Sequence, residues 1–265
     1  MPTIELPGLD LYYERSGSGR RLLFLNGSGA TLETSALLIK VFTDRFDVAA
    51  HDQRGMGRTS IPPGPYTMAQ YAADAAALLD HLGWDSCRVV GVSFGGMVAQ
   101  ELACTHPERV ERLGLACTSP GGAGGSSYPL HELADLDPEA RAAVGATLLD
   151  TRFTPAWLAD HPGDARLVTL MAGRGGTRTA EQERGATEQL EARRHHDVTD
   201  RLGAISCPTL VACGRYDGIA PQSNSEAIAA RIPDAELRTY EGGHAFFVQD
   251  PAALPEILDF LDVVS

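Results

Sequence analysis

The chain has 265 residues, 43% of them hydrophobic and 22% charged, and a formal net charge of −13. This length and apolar content suit a globular α/β domain with a large buried core. The negative balance excludes charge-driven binding to nucleic acid or anionic lipid, where lysine and arginine must meet phosphates.

In chain order, short apolar runs alternate with helical periods, the pattern of a mostly parallel sheet with helices on both faces. Ile4–Leu6 and Leu11–Glu14 predict short opening strands around a Pro7-Gly8 turn. Leu22–Leu25 and Phe46–Ala50 predict buried strands. Thr67–Leu82 puts Met68, Tyr71, Ala75, Leu78, Leu79 and Leu82 on one stripe, with Thr67 placed to cap its start and Gly83 to end it. Val89–Val92 is a continuous apolar run suited to a strand buried on both faces. Met97–Thr105 is amphipathic, and Pro107 stops it. Val110–Cys117, Leu210–Cys213 and Leu237–Tyr240 predict further strands, and Ala253–Leu261 the last helix.

One region breaks the alternation. SPGGAGGSSYP follows Thr118, and from about Tyr128 to Leu202 every pattern is helical. Strand–helix alternation resumes at CPTLVACG. The expected organisation is a core of 1–120 and 203–265 with a helical cap of 121–202 inserted between two strands of one sheet. Within that segment, Arg184–His196 is charged on most faces and is expected to face solvent.

No run approaches 18 apolar residues, so no membrane span is expected. MPTIELPGLDLYYERSG lacks the basic and apolar regions of a signal peptide. Cys87, Cys104, Cys117, Cys207 and Cys213 are scattered, with no C-x-x-C, and predict reduced thiols in the cytoplasm.

Ser93 sits in Gly91-Val92-Ser93-Phe94-Gly95, a G-x-S-x-G between a buried strand and a helix. A turn that sharp strains the serine backbone, and glycines remove Cβ atoms that would clash with strand and helix. The hydroxyl then stands at the carboxyl end of the sheet beside free N–H groups of a helix start, the setting of a nucleophile elbow. The competing role is a helix N-cap. A serine nucleophile needs a base, and the base an orienting group. Of eight histidines, His244 lies in TYEGGHAFFVQDP, after the last strand on a glycine-rich loop. Asp217, in GRYDGIAP, follows another strand; the alternative position, TSPGG after Cys117, offers no carboxylate.

With FLNGSGA, HDQRGMGRTS, GVSFGGMVAQELA, CPTLVACGRYDGIAP and EGGHAFF in view, the chain resembles the α/β-hydrolase superfamily over nearly all its length. It is most similar there to small bacterial carboxylesterases and 3-oxoadipate enol-lactonases, which carry a segment like GPYTMAQYAADAAALLDHLG before the nucleophile strand. The resemblance implies an α/β-hydrolase fold: an eight-stranded sheet with its second strand antiparallel, and a helical cap after the sixth strand. It also implies a triad of Ser93, Asp217 and His244. The oxyanion donors would be the backbone N–H groups of Phe94 and Ser28. The family's usual His-Gly is Asn26-Gly27 here, which bears on how that loop is supported. Asp52 and Arg54 would form a structural buttress beside it.

The expected activity is hydrolysis of a small or medium carboxylic ester or lactone through an acyl-serine. No cofactor or metal is expected; His195-His196-Asp197 lacks a further ligand at metal spacing. The partner is a small-molecule substrate, with no nucleic acid or membrane. Tyr128, Phe153, Trp157 and Phe246 are candidate pocket walls, equally suited to packing within the cap. Two other readings share the fold: a carbon–carbon bond hydrolase or cofactor-free haloperoxidase-like enzyme, and a non-catalytic ligand receptor.

Overall fold

The computed structural model describes residues 2–173 and 178–263. Its first half alternates strand and helix: β1 (Thr3–Leu6), β2 (Leu9–Gly17), β3 (Arg20–Leu25), α1 (Leu32–Thr43), β4 (Phe46–His51), α2 (Met68–His81), β5 (Cys87–Val92), α3 (Phe94–Thr105) and β6 (Val110–Ala116). Four helices follow: α4 (Pro138–Leu149), α5 (Pro155–Asp160), α6 (Pro162–Gly173) and α7 (Ala180–Arg194). Then come β7 (Thr209–Gly214), α8 (Gln222–Ala229), β8 (Glu236–Tyr240), α9 (Phe246–Gln249) and α10 (Ala253–Asp262).

The strands form one sheet in the order β1-β2-β4-β3-β5-β6-β7-β8. β2 runs antiparallel to both neighbours, and every later pair is parallel. The antiparallel second strand and the helices inserted after the sixth are those the resemblance implies. Successive residues of the central strands bury on opposite faces. Leu23, Leu25 and Val89 pack with Tyr71 and Leu78 of α2 and Val98 of α3. Leu22, Phe24 and Val90 pack on the other face with Phe42 of α1 and Phe260 and Leu261 of α10. A smaller cluster of Ala146, Leu149, Phe153 and Ala245 ties α4 to the loop before α9.

Thr67 caps α2 as expected, in a reciprocal capping box with Gln70. Three elements differ from the sequence expectation or add to it. β2 extends to Gly17 because Arg15, Ser16 and Gly17 pair with Ala49, Val48 and Asp47 of β4, so backbone pairing outruns the apolar pattern. α1 has no clear stripe in the sequence, since Leu32 and Phe42 are buried while Leu37 is 85% exposed. Third, α7 is not a solvent-facing helix. It buries Gly185, Ala186, Gln189, Ala192 and Arg193, and His196 just beyond it is buried too. Small residues let its backbone dock: a Cβ on Gly185 would lie 2.2 Å from the Gly55 carbonyl oxygen. Among the described residues no helix is long and apolar enough to cross a membrane.

Candidate active site

β5 ends at Val92 and α3 begins at Phe94, so Ser93 alone reverses the chain. Its φ of 56° and ψ of −115° lie in a region that L-residues seldom occupy. The turn is over-determined. Ser93 N–H donates to the Ala116 carbonyl at 2.8 Å, and Thr118 Oγ1 donates to the Ser93 carbonyl at 2.8 Å. The flanking glycines answer a lack of space. A Cβ on Gly91 would lie 2.3 Å from the Gly95 carbonyl oxygen, and one on Gly95 only 2.0 Å from that of Leu25.

His244 Nε2 lies 3.0 Å from Ser93 Oγ, and His244 Nδ1 lies 2.8 Å from Asp217 Oδ2. The Asp217 side chain is fully buried, and its Oδ1 accepts the N–H groups of Ile219 and Ala220, both at 2.8 Å. Both loops are fastened to the end of α4. His244 N–H donates to the Leu149 carbonyl at 2.7 Å, and Gly218 N–H to the Leu148 carbonyl at 3.1 Å. These are terminal carbonyls that the helix cannot satisfy internally. Buried Asp150 adds a second tether. It accepts from Arg152 Nη2 at 2.7 Å and Gln249 Nε2 at 2.9 Å, and Gln249 Oε1 accepts Gly243 N–H at 2.9 Å.

The loop after β3 passes beside the serine: a Cβ on Gly27 would sit 3.6 Å from Ser93 Cβ. Among the described residues, neither Ser28 N–H nor Phe94 N–H has an acceptor. The Phe94 ring lies in the core, edge-on to Tyr71 at 4.9 Å, which leaves only its backbone beside Ser93. Asn26 is buried, and its Nδ2 has no partner among the described residues. Its carbonyl instead accepts Gln53 Nε2 at 2.5 Å, so the loop is held through its backbone and not through the side chain at 26. Asp52 accepts Leu32 N–H at 2.7 Å and Arg58 N–H at 2.9 Å. Arg54 pairs with Asp74 through two bonds, at 2.7 and 3.0 Å. Burial pushes the Asp74 carboxyl up, against the hydrogen bonds and charge of Arg54.

Ser93, His244 and the Asn26–Ala30 loop line a cavity of about 310 Å3, walled by Phe24, Leu38, Val92, Leu130, Ile219 and Phe247. The four aromatic residues expected there lie elsewhere. Phe246 is buried in the core and stacked on Tyr240 at 5.2 Å, because the turn of α9 sends it inward and gives the cavity to Phe247. Phe153 fills the cluster under α4. Trp157 stacks on His161 at 3.9 Å and donates its Nε1–H to Asp164 at 2.8 Å, beside a separate recess. Tyr128 contributes backbone bonds: its N–H goes to the Ile219 carbonyl at 2.7 Å.

Sequence reasoning did not single out Gln53, Thr118, Asp150 or Gln249. HDQRG draws attention to its charged pair, yet the uncharged residue between them bonds the loop after β3. Asp150 carries no local sequence signal at all. Among the described residues no group of His, Cys, Asp and Glu is arranged to hold a metal.

Comparison with known proteins agrees with this architecture. The alpha/beta hydrolase fold family matches residues 20–251. The chain is 30% identical over 254 residues to a 3-oxoadipate enol-lactonase of Acinetobacter baylyi, covering 95% of this chain and 92% of that one. It is 32% identical over 249 residues to a poly(3-hydroxyalkanoate) depolymerase of Ectopseudomonas oleovorans, covering 91% and 83%. A hydrolase crystal structure from Pseudomonas aeruginosa superposes with a TM-score of 0.80 at 31% identity, covering 99% and 98%. With an eight-stranded sheet, a strained serine elbow after its fifth strand and a family match over most of its length, the chain belongs to the α/β-hydrolase family.

Proposed function

We propose that the protein is a serine hydrolase cleaving a small or medium carboxylic ester or lactone through an acyl-serine. The observation that carries this reading is the Ser93–His244–Asp217 relay, at 3.0 and 2.8 Å, opening on a cavity with mostly apolar walls. His244 Nε2 takes the Ser93 proton as Oγ attacks the carbonyl carbon. Asp217 holds the tautomer with the proton on Nδ1 and stabilises the imidazolium. The N–H groups of Ser28 and Phe94 receive the oxyanion; one such donor is typically worth about 10²–10³ in rate. His244 then returns its proton to the leaving alkoxide, which in a lactone stays tethered to the acyl group. Water, deprotonated by the same histidine, attacks the acyl carbon; as the bond to Ser93 Oγ breaks, His244 gives that proton to Oγ and the acid leaves.

In this reading residues 121–202 cap a core of 1–120 and 203–265, and five unpaired cysteines suit a cytoplasmic setting. The names of the lactonase and depolymerase relatives are in keeping with ester chemistry. The test compares wild type and Ser93→Ala on p-nitrophenyl butyrate and a panel of lactones. Wild type is expected to turn over at least one class and to be labelled at Ser93 by a fluorophosphonate. Ser93→Ala is expected to lose several orders of magnitude in kcat. Equal turnover by the two proteins would reject the assignment, and an unlabelled wild type would favour a receptor.

A further inference from the structure

Ala30 N–H donates to the Gly27 carbonyl at 3.2 Å, so residues 27–30 form a turn with Ser28 and Gly29 at its centre. Gly29 has a φ of 69°, and Ser28 is not among the residues with positive φ. That combination is a type II turn. Types I and II differ in the orientation of the central peptide, here Ser28–Gly29, and glycine at the third position tolerates both. Which way this peptide faces therefore depends on what bonds it.

Gln189 of α7 bonds it. Its Oε1 accepts Gly29 N–H, the N–H of the central peptide, at 2.7 Å. Gln189 is buried, and its Nε2 meets no acceptor among the described residues. A buried amide with its donors unmet is costly, so apolar packing does not account for this residue. Gly185, Gln189 and Arg193 lie four residues apart on one stripe of α7. That stripe is seated on both sides of Gln189: Gly185 meets Gly55, and Arg193 Nη1 donates to the Tyr128 carbonyl at 2.8 Å. Arg184 adds bonds to the Ile61 and Pro62 carbonyls at 2.7 and 2.8 Å. Gln189 lines neither the cavity at Ser93 nor a second one, of about 290 Å3, beside Leu190 and Arg193. It can therefore act on the chemistry only through the loop.

Three successive peptides of the loop are held: the Asn26 carbonyl by Gln53, the Gly27 carbonyl by Ala30 and the Gly29 N–H by Gln189. Ser28 N–H belongs to the middle one and has no acceptor among the described residues. On the hydrolase reading above, on which this inference rests, we propose that Gln189 is a positioning residue of the oxyanion hole. By fixing the Ser28–Gly29 peptide it keeps Ser28 N–H aimed at the oxyanion that forms over Ser93. Without that bond the central peptide is free to rotate, and the donor beside it drifts. The loss falls on the transition state, where the oxygen carries charge, and spares the binding of an uncharged carbonyl.

The test compares wild type with Gln189→Met, which keeps the length of the side chain and removes the amide oxygen. On p-nitrophenyl butyrate, kcat/KM is expected to fall about tenfold or more, short of the loss of a whole oxyanion donor. Two inhibitors separate the oxyanion from the pocket. Ser93 Oγ adds to the carbonyl carbon of butyl trifluoromethyl ketone, its proton passes to His244, and the ketone oxygen becomes an oxyanion. Butyl methyl ketone binds as the intact carbonyl. In Gln189→Met the inhibition constant of the first is expected to rise about tenfold or more and that of the second to stay within about twofold. An unchanged kcat/KM, or an unchanged ratio of the two inhibition constants, overturns the proposal; a role in packing alone would weaken both ketones together. If Gln189→Met does not fold, Gln189→Asn, whose amide is one methylene short of Gly29, is judged by the same ratio. A wild type that cleaves no ester ends the hydrolase reading and this proposal with it. An active wild type matched by Gln189→Met ends the proposal alone.

Discussion

Replacing Ser93 by glycine and by alanine separates backbone strain from chemistry. Both variants lose the hydroxyl and its 3.0 Å contact with His244, so their stability difference reports the backbone. At an ordinary site glycine is less stable than alanine by about 0.4–1 kcal/mol, through unfolded-state entropy. At φ 56° and ψ −115° an L-residue carries strain of about 1–3 kcal/mol that glycine does not feel. The balance puts Ser93→Gly above Ser93→Ala by about 1 kcal/mol. In a chain of this size that is a rise of about 2–4 °C in Tm. Urea titrations at constant m-value measure it. If Ser93→Gly is instead less stable than Ser93→Ala, the elbow stores no strain and the account of the turn is wrong.

Gly95→Ala is expected to cost about a hundredfold or more in kcat, because its Cβ would meet backbone oxygens of Leu25 at 2.0 Å and Asn26 at 2.7 Å and displace the oxyanion loop. Wild-type turnover in that variant would show that the loop yields freely. Arg54→Met leaves Asp74, 4% exposed, without its bidentate partner and is expected to cost about 3–5 kcal/mol by urea unfolding. Adding Asp74→Leu should recover much of that; strictly additive losses would mean the pair is not coupled. Burial holds His51 neutral in the fold, down at about 4 from 6.5. The unfolded chain therefore takes the proton first, and stability from this site is full above pH 6.5 and falls as pH drops towards 4, by about 3 kcal/mol. His51→Asn should flatten that decline in urea midpoints between pH 7 and 4.5, and an unchanged slope would assign it to other groups.

The elements nearest the chemistry are the ones most legible in the sequence. Ser93, Asp217 and His244 each follow a strand, and glycines beside Ser93 and His244 mark where the backbone must pass close to a neighbour. A Cβ on Gly243 would lie 2.1 Å from the Leu149 carbonyl oxygen, a constraint visible as a paired glycine before the fold is known. The cavity wall is another matter. Phe246 and Phe247 are adjacent and chemically identical, and only the turn of α9 decides which one faces Ser93. α7 misleads for a related reason: its charged sequence hides a face whose partners, Gly55, Tyr128 and the second cavity, are distant along the chain. Asn26 resolves differently again. The loop's support moved to Gln53, a side chain that acts on a carbonyl and leaves no trace in the residue it supports.

α4 and the loops of Asp217 and His244 are mechanically one assembly. The last carbonyls of α4 hold the loops of both Asp217 and His244, and Asp150, just past that helix, holds Gln249 and through it Gly243. A motion that lifted α4 would pull acid and base away from Ser93 together. The other side of the insertion is fastened elsewhere: Met171 of α6 and Arg178 before α7 line the first cavity without a hydrogen bond to the loops of Asp217 or His244 among the described residues, and Gln189 of α7 accepts Gly29 N–H at 2.7 Å. The α4 end of the insertion is therefore the part whose seating holds Asp217 and His244 beside Ser93.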